Sequence, residues 1–196
     1  MRTIGITGGV GAGKSTVLNY LQEHYHAYLI VADELAKELE LPGHDCYAQL
    51  VDTFGEGILD ANGYLDKKAF ADLIFSDPAC LQKANGIIHP AVKTEILKRL
   101  DEQRHLGTKL FVLEAALLIE EKYDEILDEL WYIYTDDAVR AARLMESRGY
   151  SEDKIRSIMR QQLSDEEFRA HCRVVIDNSG RPEDTHKQID CVLRDI

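Results

Sequence analysis

The chain has 196 residues, 45% of them hydrophobic and 30% charged, which suits one soluble core domain with room for a smaller inserted lobe. A formal net charge of −12 excludes a general nucleic-acid binder, since no basic stripe is present to attract a phosphate backbone. No run of about eighteen apolar residues is available to span a membrane. The first strand follows Met1 so closely that no cleavable leader is expected, and the reading is a cytoplasmic protein. Cys46, Cys80, Cys172 and Cys191 stand far apart without a C-x-x-C pair, so reduced thiols are expected rather than zinc or disulfides.

Residues 3–6 predict a short buried strand, and residues 4–16 read IGITGGVGAGKST. Gly8, Gly13, Lys14 and Ser15 fulfil G-x-x-x-x-G-K-S/T, the pattern of a phosphate-binding loop. Such a loop turns successive backbone N–H groups inward at a helix N-terminus, where a polyphosphate meets oriented donors. Gly11, Ala12, Gly13, Lys14, Ser15 and Thr16 are the expected nucleotide contacts. Lys14 supplies a point charge to the β- and γ-phosphates, and the Ser15 hydroxyl is placed to ligate Mg²⁺. Val17, Leu18 and Leu21 then mark one face of an amphipathic helix, the context the motif demands.

Residues 28–32 predict a second strand, with Asp33 directly beyond it. Ligands of open α/β sheets bind outside the carboxyl ends of strands, so Asp33 is read as the acceptor of a hydroxyl proton during phosphoryl transfer. The competing account makes it the cap of a helix beginning at Glu34. Residues 41–106 hold no good strand: Pro42-Gly43 ends a helix, helical spacing covers 47–54 and 67–75, and Val92, Ile96, Leu97 and Leu100 continue it to Gly107. His89-Pro90 is expected to interrupt that segment, placing the His89 ring at a bend. His89 is read as a packed or turn histidine or as a substrate contact, and Lys93 as a solvated lysine or a ligand of a substrate phosphate.

Residues 110–113, 130–134 and 174–176 predict the third, fourth and fifth strands. Glu114, after the third, is read either as a Mg²⁺ ligand or as an ordinary polar strand end. Residues 137–171 form a helical stretch broken at Gly149, with a capping box at Ser164 and Glu167. Arg156 and Arg160 are assigned to its surface, whereas Arg143 and Arg148 flank a glycine-terminated helix able to close over phosphates. Pro182 opens a terminal helix through Val192 and Leu193.

Taken together, these motifs resemble the dephospho-coenzyme A kinase family over nearly the whole chain. ITGGVGAGKST is similar to that family's opening, and VADELA to its D-A-D-x-x-A segment, with Asp33 on the second aspartate and Val31 replacing the first. FGEGILDANGYLDKKAF resembles the inserted lobe, and IIHPAV the His-Pro signature at His89 and Pro90. LEAALLIE is similar to D-x-P-L-L-x-E, with Glu114 in place of the aspartate and Ala116 of the proline. RLMESRGYSEDKI resembles the lid, which puts Arg143 and Arg148 on its arginines, and VVIDNSG resembles the closing segment.

The resemblance implies a P-loop kinase-type α/β fold: a parallel five-stranded sheet with helices on both faces, an inserted helical substrate lobe and a helical lid. The expected organisation is a core of 1–40, 107–136 and 172–196, a coenzyme-binding insertion of 41–106 and a lid of 137–171. It also implies transfer of the ATP γ-phosphoryl to the ribose 3′-hydroxyl of dephospho-coenzyme A, with Mg²⁺ and a small-molecule substrate and no protein partner. Lys14, Arg143 and Arg148 then stabilise the moving phosphoryl group while Asp33 acts as base. The alternatives are another P-loop nucleoside or nucleotide kinase, separable by an acceptor screen, and a regulatory NTPase, against which stands the lack of an N-K-x-D sequence.

Overall fold

The computed structural model describes residues 1–195; Ile196, the last residue of the expected core segment 172–196, lies outside them. Five parallel strands form one sheet in the order β2-β3-β1-β4-β5: β1 (Arg2–Thr7), β2 (Tyr28–Val31), β3 (Leu110–Glu114), β4 (Glu129–Tyr134) and β5 (Val174–Asp177). In the centre Ile4 lies opposite Val112, and Ile6 opposite Trp131. Thr3 to Thr7 and Leu110 to Leu113 are buried without a break. Successive strand side chains point to opposite faces, so continuous burial means that both faces are covered. Gly5 shows how tightly: a Cβ there would come within 2.6 Å of Leu130 Cδ2 and 2.9 Å of Leu127 Cδ1.

By its contacts the chain divides into two compact units, one of Met1–Leu29 with the chain from Gln103 onward, the other Ile30–Glu102. In the first, α1 (Lys14–Tyr25) follows β1 and buries Val17, Leu18 and Leu21, the residues its periodicity selects. The second unit carries α2 (Ala32–Leu39), α3 (Asp45–Phe54), α4 (Lys67–Ser76) and α5 (Pro78–His105), with an isolated bridge between Leu59 and Leu65. It therefore starts earlier than residue 41 and includes α2, which an ion pair from Arg99 to Glu38 ties to α5. Back in the first unit, α6 (Asp137–Arg148), α7 (Glu152–Arg160) and α8 (Asp165–His171) precede β5, and α9 (Pro182–Val192) follows it. Gly149 ends α6 with φ 62, and the capping box at Ser164 and Glu167 is formed.

Two local expectations are corrected. Pro90 does not bend the chain out of helix, because α5 runs from Pro78 to His105 through it and His89 is mid-helix. Proline there removes one backbone bond, and its ring crowds the carbonyl four residues earlier. That residue is Gly86, whose surroundings are open, and the buried row of Ala84, Val92, Ile96 and Leu100 crosses the proline, so packing offsets the lost bond. Leu97, expected on that row, is exposed. The second correction concerns Asp33: β2 ends at Val31, which is itself the N-cap of α2, so Asp33 lies in the first turn and caps nothing.

All four cysteines are free. Cys46 and Cys172 are buried, and burial pushes their thiols up to about 11 and about 12, while Cys191 is exposed. Among the described residues no helix is long and apolar enough to cross a membrane.

Candidate active site

The loop leaves β1 at Thr7 and enters α1 at Lys14. Its shape depends on glycine at the two ends. Gly8 has φ 149, and a Cβ there would stand 2.6 Å from the Ile133 carbonyl oxygen. Gly13 has φ 78, is the N-cap of α1 and would, with a Cβ, overlap Asn178 Nδ2. No side chain caps α1: the Thr16 N–H donates to the Gly13 carbonyl at 3.0 Å, and no side chain competes with an anion for the first turn.

The carboxyl ends of β3, β4 and β5 each deliver a side chain to this loop. From the end of β3, Glu114 Oε1 lies 3.4 Å from Lys14 Nζ, which also donates to the Gly8 carbonyl at 2.9 Å. Just past β4, the Thr135 hydroxyl donates to the Ala12 carbonyl at 3.0 Å. Just past β5, Asn178 Nδ2 donates to the same carbonyl at 2.8 Å, and the Thr185 hydroxyl of α9 donates to Asn178 Oδ1 at 2.9 Å, which fixes the amide. Arg143 Nη2 donates to the Asn178 carbonyl at 2.9 Å. Its Nη1 is buried, has no partner among the described residues, and would lie 3.3 Å from a Cβ at position 13. A buried guanidinium N–H without an acceptor is rare, and beside a glycine loop it points to an anion.

Of the candidate residues, Lys14, Glu114 and Arg143 converge on the loop with residues 11–13. Ser15 and Thr16 are exposed in the first turn of α1. Arg148 ends α6, exposed, with its guanidinium 5.9 Å from the centre of the Tyr150 ring rather than on the loop. Asp33, His89 and Lys93 belong to the second unit: Asp33 is exposed, and His89 and Lys93 are half-buried four residues apart on one face of α5. Arg156 is a surface residue paired with Glu152.

Sequence reasoning left Thr135, Asn178, Arg140 and Gln162 without a role, though the last two both bond to Val10 of the loop. The spacing held a signal for Arg140, which shares a face of α6 with Arg143 and the buried Leu144. A cavity of about 610 Å³ lies elsewhere, among Arg2, Glu129 and Val174 at the amino ends of their strands. Arg2 is already engaged there by Glu129 and the Val192 carbonyl, so the carboxyl-end loop is the better site. No cluster of three or more metal-binding side chains occurs among the described residues.

Sheet order and glycine loop together define the class: a P-loop kinase. The sequence profile of the dephospho-CoA kinase family matches residues 2–184, and the chain belongs to that family. A dephospho-CoA kinase of Carboxydothermus hydrogenoformans is 39% identical over 191 residues, covering 97% of this chain and 92% of its own. Among solved structures, TT1252 from Thermus thermophilus superposes with a TM-score of 0.81 at 29% identity, covering 100% of this chain and 97% of its own. A dephospho-CoA kinase from Campylobacter jejuni agrees in fold with a TM-score of 0.74 at 19% identity, over 99% of this chain and 96% of its own. Family membership makes the chain a transferase with ATP as co-substrate and a small molecule as acceptor.

Proposed function

We infer that this chain transfers the γ-phosphoryl group of ATP to the ribose 3′-hydroxyl of dephospho-coenzyme A, giving coenzyme A in the cytoplasm. The observation that carries this reading is the buried Arg143 Nη1, which has no partner among the described residues and lies beside Gly13, the N-cap of a helix without a side-chain cap. Those groups fit a triphosphate. Backbone donors of residues 11–16 bind it, Lys14 places a charge on its β- and γ-phosphates, and Arg143 satisfies its orphan donor on a phosphate oxygen. Arg148 adds a second guanidinium from the segment 137–171, which acts as the lid. Ser15 and Glu114 offer the hard oxygen donors suited to Mg²⁺, which keeps several waters and needs few protein ligands. When bound, Mg²⁺ neutralises phosphate charge.

The helical unit holds the acceptor in this reading. It contains a cavity of about 390 Å³ lined by Leu39, His44, Cys46, Ile87, Pro90 and Glu95; His89 and Lys93, outside that lining, are assigned further substrate contacts from α5. Asp33 accepts the proton of the 3′-hydroxyl as that oxygen attacks phosphorus. Most of the acceleration comes from positioning and electrostatics, because this transfer asks little covalent chemistry of a protein.

Incubation with ATP, Mg²⁺ and dephospho-coenzyme A, followed by mass analysis, should show one added phosphoryl group on the acceptor. Asp33→Asn should lower kcat about a hundredfold, in the range of a lost general base, with ATP affinity kept. Wild-type turnover in that variant removes Asp33 from the base role.

A further inference from the structure

We propose that Gln162 is a positioning residue that latches the segment 137–171 onto the phosphate loop. It lies between α7 and α8, and its side-chain oxygen accepts two bonds: from the Val10 N–H at 3.2 Å and from Arg140 Nη2 at 2.6 Å. Arg140 Nε donates to the Val10 carbonyl at 3.1 Å. Val10 is thus held at both its N–H and its C=O by side chains from opposite ends of the segment. Arg140 is held in turn: only 12% of its side chain is exposed, and Nη1 pairs with Asp137 at 3.0 Å. Gly9 leaves room for the bracket, since a Cβ there would overlap the guanidinium.

Both bonds to Gln162 use its side-chain oxygen as the acceptor, and one of them comes from a charged donor. The chemistry therefore asks for an oxygen at that point rather than for an amide. The latch fixes the first half of the loop, while Thr135, Asn178 and Glu114 fix the second half and Lys14. Both halves must be set for the N–H groups of residues 11–16 to face one phosphate chain. The inference rests on the reading of 137–171 as a lid over ATP. It adds that the segment is tied to the loop at Val10.

The test compares Gln162→Leu, Gln162→Glu and Arg140→Met with the double variant Arg140→Met/Gln162→Leu. Measurements are the Kd for ATP, KM and kcat with dephospho-coenzyme A, the ratio of ADP to coenzyme A formed, and the melting temperature. Gln162→Leu should raise Kd and KM for ATP about tenfold, the factor carried by one hydrogen bond to a charged group, and should release ADP in excess of coenzyme A. Gln162→Glu keeps the acceptor oxygen and should return both values to near wild type. The double variant should lose little more than either single one, because both break the same bracket. Wild-type ATP affinity and a 1:1 product ratio in Gln162→Leu overturn the latch, as does a Glu variant no better than Leu. Should Gln162→Leu fail to fold, the decision falls to Gln162→Glu and Arg140→Met, whose ATP affinities must differ. The Kd arm needs no acceptor, so a wild type that binds ATP but leaves dephospho-coenzyme A unchanged counts against the proposed function and not against the latch.

Discussion

The two units of this protein bury different things. Among the described residues, the buried polar side chains are Thr3, Thr7, Thr135, Asn178 and Thr185, all in the sheet-containing unit, and all but Thr7 are hydrogen-bonded through their side chains. The helical unit buries Leu35, Leu39, Cys46, Leu50, Ile58, Phe70, Ala84, Val92, Ile96 and Leu100. An apolar interior is non-directional and accepts several packings, whereas a satisfied buried polar network specifies a single arrangement and is costly when half made. The difference follows from what each unit must hold. A phosphate loop needs its backbone N–H groups fixed to fractions of an ångström, and Ala12 has two side-chain donors on one carbonyl for that purpose. The helical unit is held by apolar packing, with polar ties such as Arg99–Glu38 nearer its surface.

Substitutions can break this contrast. Gly13→Ala should have the largest effect: it strains a backbone at φ 78 and pushes Asn178 off Ala12. We expect kcat/KM to fall about a hundredfold or more, in line with an ångström of misplacement, with loss of ATP binding by titration. Leu50→Ala should do the opposite. It opens a cavity in the helical unit at a fully buried position and should cost about 3 kcal/mol in chemical denaturation, while the Kd for ATP stays unchanged. A matched drop in ATP affinity would show that the two interiors are not independent. The smallest change is expected for Pro90→Ala, which restores the N–H bond to Gly86 within α5 and should stabilise the protein by about 1 kcal/mol, seen as a modest rise in Tm.

The same contrast explains what could be read in advance. The phosphate loop was legible because its chemistry is contiguous, from Gly8 through Ser15 in one stretch, and because α1 repeats the periodicity of Val17, Leu18 and Leu21. The strands were legible to within two residues because each is a short apolar run between polar ends. Thr135 and Asn178 were not. Their importance comes from the sheet order, which sets the end of β4 beside β1 and that of β5 one strand further out, and no local pattern in a sequence records which strands are neighbours. Gln162 is hidden for the same reason, being 152 residues from the Val10 N–H it accepts. At Pro90 the local bias against helix was real, but the row from Ala84 to Leu100 outweighed it. Asp33 followed the same logic on a smaller scale: α2 starts at Ala32, so the residue that the sequence places just beyond a strand lies in the first turn of the helix.

The burial of Cys46 and Cys172 bears on the chemistry this enzyme meets in its own product. Coenzyme A and its precursor both end in a sulfhydryl, and their oxidised forms exchange only with an accessible thiolate. Burial keeps those two sulfurs almost entirely as thiols at neutral pH, which disfavours mixed-disulfide formation even at Cys46, a residue that lines the cavity assigned to the acceptor. Modification falls first on the more accessible Cys80 and Cys191, so the interior of both units is the last to change as oxidised product accumulates.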